Sequence, residues 1–180
     1  MTMLDMPFGA AVLADGGVRF RFWAPGQEDV RLVLPERDVK RAMEAGPDGW
    51  FELVVNDATA GDRYLLELTD GTQVADPASR GQAEGVTGPS LVVDPRSYTW
   101  CHAGWRGRHW AEAVIHELHV GTFTEAGTYT AATQRLGHLA ELGVTAVELM
   151  PLADFPGRRN WGYDGVLPYA PARAYGTPTS

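Results

Sequence analysis

Two groups of residues in this 180-residue chain have the types and spacing to do chemistry. The first is Asn160-Trp161-Gly162-Tyr163-Asp164-Gly165, within a stretch from Phe155 to Gly176 that also holds Tyr169 and Tyr175. Flat aromatic rings lie well against the apolar C–H face of a pyranose, and Asn160, Asp164 and Arg158 can exchange hydrogen bonds with its hydroxyls. A mostly apolar pocket with a few convergent polar groups is the usual form of a small-ligand site. The competing reading is that these aromatics pack over the rim of the fold and bind nothing. The second group is the acid–base set Glu117, His119 and Glu148. Two carboxylates about 5–5.5 Å apart would suit a retaining glycosidase. Glu117 and Glu148 fall in the middle of strand patterns rather than at strand ends, so they are set aside. A lone strand histidine such as His119 is most often a hydrogen-bonded core group, although imidazole is the side chain most easily recruited for proton transfer.

The elements that must position these residues follow from Ala113 onward. Val114–Val120 reads as a strand interrupted by His116, Glu117 and His119, and Val144–Met150 as a second strand dense in Val, Leu and Ala. Between them, residues 130–142 read as a helix: Leu136, Leu139, Ala140 and Gly143 recur at i, i+3, i+4 and i+7. Thr130 is the candidate N-cap, and Gly143 could instead end the helix as its C′ residue. Strand–helix–strand at this length implies parallel strands joined by a right-handed crossover. In such folds the carboxyl ends of the strands carry the site. Here those ends are His119-Val120-Gly121-Thr122-Phe123 and Met150-Pro151-Leu152-Ala153-Asp154. Phe155–Gly176 shows neither a helix nor a strand period, and a loop beyond about 12–15 residues is usually functional or disordered. So many aromatics argue against disorder.

Before residue 100 the pattern differs. Val18, Phe20 and Phe22 alternate with Arg19, Arg21 and Trp23; Val30, Leu32 and Leu34 repeat the period of two, as do Tyr64, Leu66 and Leu68, with Trp50–Val55 a weaker case. The dipeptides Asp15-Gly16, Asp48-Gly49 and Asp70-Gly71 are turn signals. Regular short strands with no helical pattern between them predict an antiparallel β-sandwich over about residues 7–98. A connector rich in Trp, Gly and Arg follows, with Trp100, Trp105 and Trp110 spaced five apart. That spacing fits neither a strand face nor a helix stripe, so these rings are expected to plug a seam between domains. Trp23 and Trp50 are likewise expected to pack in the core or between domains.

Composition limits the partners. A net charge of −8 gives no basic face for nucleic acid. The single Cys101 allows no internal disulfide and no cysteine-based metal site. Met1–Ala10 carries no basic segment ahead of an apolar run, and no stretch reaches the ~18 apolar residues that would cross a bilayer. A cytoplasmic protein with no metal, cofactor, membrane or nucleic-acid partner is the expectation.

Several ordered motifs then resemble one family. Glu117-Leu118-His119-Val120-Gly121-Thr122-Phe123-Thr124, Leu142-Gly143-Val144-Thr145 leading into Glu148-Leu149-Met150-Pro151, Phe155-Pro156-Gly157 and Asn160-Trp161-Gly162-Tyr163-Asp164-Gly165 are similar to the start of the barrel in the α-amylase superfamily, glycoside hydrolase family 13. Phe20-Arg21-Phe22-Trp23-Ala24-Pro25 resembles the opening of the β-sandwich that precedes such barrels. Asp76-Pro77-Ala78-Ser79-Arg80, then Gly88-Pro89-Ser90 and Val93-Asp94-Pro95, resemble the connector of its trehalose-releasing branch. His116 stands where relatives commonly have tyrosine.

The resemblance implies a multi-domain β plus α/β protein. Residues 1–98 would be an immunoglobulin-like sandwich of the carbohydrate-binding-module-48 type, 99–112 a linker, and 113–180 the first βαβ unit of an incomplete (β/α)8 TIM barrel. It implies cleavage of the α-1,4 bond next to the terminal trehalose of maltooligosyl trehalose, with α-1,4-glucan as the partner. Tyr163 would stack on the sugar that is cut, with Trp161, Asn160 and Asp164 shaping that end of the groove, while His119, Thr122 and Phe123 support the site or pack the barrel. The family's aspartate nucleophile, glutamate acid/base and stabilising aspartate sit on later strands, so no catalytic residue is expected in this chain; all three are expected downstream of Ser180. A glycogen branching or debranching enzyme and a non-catalytic α-glucan-binding module presenting Trp23 or Trp50 remain the alternatives.

Overall fold

The computed structural model describes residues 6–102 and 104–177; the first five and last three residues of the predicted segments lie outside the described residues. The alternating first half forms nine strands: β1 (Gly9–Val12), β2 (Val18–Trp23), β3 (Val30–Leu34), β4 (Val39–Ala42), β5 (Glu44–Ala45), β6 (Trp50–Val55), β7 (Arg63–Leu68), β8 (Gln73–Val74) and β9 (Ser90–Leu91). One antiparallel sheet runs β1-β2-β6-β5 and the other β4-β3-β7-β8, with β9 added to β7. The period of two decides which face is buried. Val18, Phe20, Leu32, Leu34, Tyr64 and Leu66 turn inward into one core, while Arg19, Arg21 and Arg31 turn out. The Phe20 and Tyr64 rings meet edge to face at 5.0 Å.

The connector motif has a structural use that its sequence did not announce. Asp76 is buried, accepts a hydrogen bond from the Tyr64 hydroxyl at 2.7 Å and another from Ala78 N at 2.8 Å. Its own N–H donates to the buried Ser90 hydroxyl at 3.0 Å. Burial pushes both the Asp76 carboxyl and the Tyr64 phenol above their ordinary ranges. Arg80 reaches back to donate to the Phe8 carbonyl at 3.1 Å. These residues form a hydrogen-bonded polar joint between β7, β9 and the connector, the form in which buried polar groups are tolerated.

From residue 113 the chain builds β10 (Ile115–Leu118), a one-turn helix α1 (Val120–Phe123), α2 (Tyr129–Glu141), β11 (Ala146–Leu149), β12 (Ala153–Asp154) and β13 (Leu167–Pro171). β10 and β11 are parallel, with Glu117 beside Glu148 in mid-strand. The α2 cap is Thr128, whose hydroxyl accepts from Ala131 N at 3.2 Å, not Thr130, which lies within the helix. Gly143, at φ +90°, follows the Leu142 C-cap, so the C′ reading of it holds. Only Ala132 and Leu139 of α2 are buried; Leu136 and Ala140, which share the helical spacing with Leu139, are exposed. This half has a smaller core of Leu118, Val120, Ala132, Leu139, Phe155, Ala172 and Tyr175.

Two further expectations fail. Phe155–Gly176 is not without regular structure, because β13 returns antiparallel to β12 and a single 3-10 turn, Arg173–Tyr175, follows. β13 contains Pro168 and Pro171 and buries only Leu167 and Ala170, three positions apart, so no period of two marks it in the sequence. Trp100, Trp105 and Trp110 do not plug a seam: they are 66%, 70% and 79% exposed. Trp100 meets the Tyr98 ring at 5.0 Å, a local contact along the chain. Among the described residues no helix is long and apolar enough to cross a membrane.

Candidate functional site

The parallel strands β10 and β11 deliver two chain segments to the same edge, and a cavity of about 730 Å³ opens there. Its floor comes from the segment after β10: His119, Gly121, Thr122 and Glu125. Its wall comes from the loop after β12, with Arg158, Arg159, Asn160 and Trp161, and its back from Tyr175. Of the four predicted binding residues, Asn160 and Trp161 line this space, whereas Tyr163 and Asp164 do not. Tyr163 is 72% exposed and Trp161 82%, so both rings offer a free face.

Local geometry explains why the loop turns here. The Asn160 side-chain oxygen accepts from Gly162 N, closing an Asx turn between the two aromatics. Gly162 has φ +104°, and a Cβ there would stand 3.1 Å from the Pro151 oxygen, so only glycine carries the chain past the end of β11. Asp154, buried at the end of β12, accepts from Arg173 N at 3.1 Å, while its carbonyl accepts from Val166 N at 2.8 Å. The residues that flank β13 on both sides are thereby tied to one residue of β12. The sequence marks Asp154 only as the end of a strand segment, and nothing in it pairs this buried carboxylate with the half-buried Arg173, 19 residues away.

Tyr175, one aromatic among several in the sequence of this stretch, takes a particular place in the structure, at the back of the cavity. Its ring is buried and packs edge-on against His119 at 5.7 Å, Tyr129 at 5.9 Å and, tilted, Phe155 at 5.8 Å. Burial raises the Tyr175 phenol above its ordinary range. Burial, reinforced by the nearby Tyr175 and Asp154 oxygens, pushes the Tyr129 phenol up to about 12. His119 is half-buried and hydrogen-bonded, as the sequence reading expected. Glu117 and Glu148 lie exposed on their strands and do not line the cavity. No group of three metal-binding side chains occurs among the described residues.

A second groove, of about 300 Å³, lies where the sandwich meets the β12–β13 hairpin. It is lined by Trp23, Trp50 and Phe8 from one side and Pro168 and Tyr169 from the other, with the Phe8 and Tyr169 rings 5.5 Å apart. Trp23 is 58% exposed rather than packed in the core, its Nε1 donating to the Asp48 carbonyl at 2.9 Å. Trp50 lies half-buried under the Arg21 guanidinium, 4.4 Å from the ring centre.

An immunoglobulin-like sandwich followed by a parallel βαβ unit is an arrangement to which known proteins are similar. Residues 7–95 match carbohydrate-binding module 48, the isoamylase N-terminal domain. Over 97% of its length the chain is 43% identical to the malto-oligosyltrehalose trehalohydrolase of Saccharolobus solfataricus, and over 94% it is 43% identical to that of Deinococcus radiodurans. It spans about 30% of the length of these relatives. A 1,4-alpha-glucan branching enzyme of Corynebacterium jeikeium is less similar, at 32% identity over 93% of the chain and 26% of the enzyme. Among solved structures, a Salmonella typhimurium protein classed as an alpha amylase superposes with a TM-score of 0.92 at 53% identity, over 97% of this chain and 30% of that one. A pullulanase from Anoxybacillus sp. LM18-11, solved with maltotetraose, superposes with a TM-score of 0.77 at 25% identity, over 96% of this chain and 30% of that one.

Proposed function

We propose that residues 1–98 are a sandwich module, 99–112 a linker and 113–180 the opening of a glycoside hydrolase (β/α)8 barrel. The whole protein would cleave the α-1,4 bond next to the terminal trehalose of maltooligosyl trehalose and release trehalose. The observation that carries this reading is 43% identity to trehalohydrolases running through both halves of the chain. The parallel β10–β11 pair with a cavity at its carboxyl edge supports it, since barrel enzymes hold substrate at that edge. Tyr163 acts as the platform under the sugar being cut: its ring is exposed, and it lies in the same turn as Asn160 and Trp161. Trp161, Asn160 and Asp164 shape the groove around an α-1,4-glucan.

The test joins this chain to the remaining two thirds of the Saccharolobus relative. The 180-residue chain alone releases no trehalose from maltooligosyl trehalose, because a missing nucleophile and acid/base cost orders of magnitude in rate. The completed enzyme does release it. In that enzyme Tyr163→Ala lowers kcat/KM about tenfold, the ~1.4 kcal/mol expected of aromatic–sugar packing, without changing Tm. A lower Tm with unchanged kinetics per folded molecule returns Tyr163 to rim packing. A completed chain that forms α-1,6 branches and no trehalose would establish the branching reading instead.

A second reading, binding of α-glucan without catalysis, is favoured by one observation, the aromatic groove around Trp23 and Trp50. Glucan binding that Trp23→Ala abolishes in the 180-residue chain would support it.

A further inference from the structure

We infer that His119 is a positioning residue that holds the aromatic turn Asn160–Asp164 in its sugar-facing pose. The ring Nε2 of His119 lies 2.8 Å from the Asn160 carbonyl oxygen, 41 residues further along the chain. A carbonyl can only accept, so Nε2 carries the hydrogen and donates it. The Tyr175 hydroxyl is 3.3 Å from the same nitrogen, at the long end of a hydrogen bond, so the carbonyl is the principal partner. Asn160 is therefore held twice: its carbonyl by His119 and its side-chain oxygen by Gly162 N. The backbone between these two points carries Trp161 directly and leads into Tyr163.

The ring that makes this contact has little freedom to move. Its edge rests on Tyr175, with ring centres 5.7 Å apart, and Gly121 passes beneath both. A Cβ at Gly121 would stand 2.9 Å from His119 Cε1 and 2.7 Å from Tyr175 Cε1, so only a glycine lets the backbone approach the two rings this closely. The His119 carbonyl accepts from Thr122 N at 3.0 Å and Phe123 N at 2.9 Å, anchoring the residue's own backbone as the cap of α1. The donor thus belongs to a rigid assembly at the end of β10, while its acceptor belongs to a loop with few other ties. Pre-organisation of this kind improves binding by lowering the ordering cost of the loop. The link to sugar binding rests on the α-glucan reading above; the link to loop order does not.

Hydrogen exchange measured on the 180-residue chain separates the two. His119→Phe keeps a ring of similar shape and loses the donor. His119→Gln removes the ring and restores an N–H that can reach the carbonyl. Amides of residues 160–165 should exchange at least about fivefold faster in His119→Phe, the factor carried by a net hydrogen bond. They should return toward the wild-type rate in His119→Gln, while sandwich amides stay unchanged in both. Equal rates across all three proteins overturn the proposal. So does acceleration in His119→Phe spread evenly over residues 113–177, which marks a packing role. Maltotetraose binding is measured in parallel. Loosening of residues 160–165 without loss of binding upholds the positioning role and counts against the sugar-site reading alone.

Discussion

The two halves of this chain use their apolar residues in opposite ways. In the sandwich, β3 buries Val30, Leu32 and Leu34 completely and spends its outward positions on Arg31 and Val33. In the second half, every residue of β11 is exposed, and Ile115, Val147 and Leu149 are 48%, 37% and 44% accessible. The sandwich closes its own core because its two sheets are each apolar on one face only. A parallel pair is apolar on both faces and needs cover on both, and α2 contributes little beyond Ala132 and Leu139. The candidate sugar site therefore stands on the half with the less complete core, and its local order comes from side-chain ties such as Asp154–Arg173 and His119–Asn160.

The sharpest way to break this contrast is to measure protection in each half. Sandwich amides in β2, β3, β6 and β7 should exchange at least about a hundredfold more slowly than those of β10 and β11, some 2.7 kcal/mol of opening free energy. Equal protection would mean that the exposed strand faces are covered in solution.

Single truncations test the same contrast at residue level. Leu32→Ala should cost about 2–5 kcal/mol, because it empties a fully buried position. Leu149→Ala, on a strand that packs against nothing on its exposed side, should stay below about 1 kcal/mol. Urea unfolding followed by a probe in each half reads both.

The smallest effect is a dependence on alkaline pH. Tyr129 has its phenol raised to about 12 against an ordinary 10.0, so the folded second half keeps the neutral form after the unfolded chain has ionised. Its contribution to stability is complete below the unfolded value and is lost as pH rises through the folded one. The second half should weaken between about pH 10 and 12, and Tyr129→Phe should remove part of that slope. The effect is modest because the ring is only partly shielded from water. A Tyr129→Phe slope equal to the wild type would assign the loss to other groups, the raised Tyr175 first among them.

The sequence by itself settled four of the nine sandwich strands (β2, β3, β6 and β7), the parallel βαβ unit and the segment that holds the aromatic turn. Each of these is a local matter: a period of two over Val18–Trp23, a stretch dense in Val, Leu and Ala over Val144–Met150, a cluster of ring side chains after Phe155. Only the tertiary structure decided which of Asn160, Trp161, Tyr163 and Asp164 share the cavity, that Tyr175 stands behind them, and that Trp100, Trp105 and Trp110 face outward. It also revealed the β12–β13 hairpin and the Tyr64–Asp76–Ser90 joint. Those outcomes depend on contacts between residues 12 to 56 positions apart, and no local period encodes a distant partner. An aromatic side chain gains by burial against any apolar surface that reaches it, so its residue type announces the need for a neighbour without naming one.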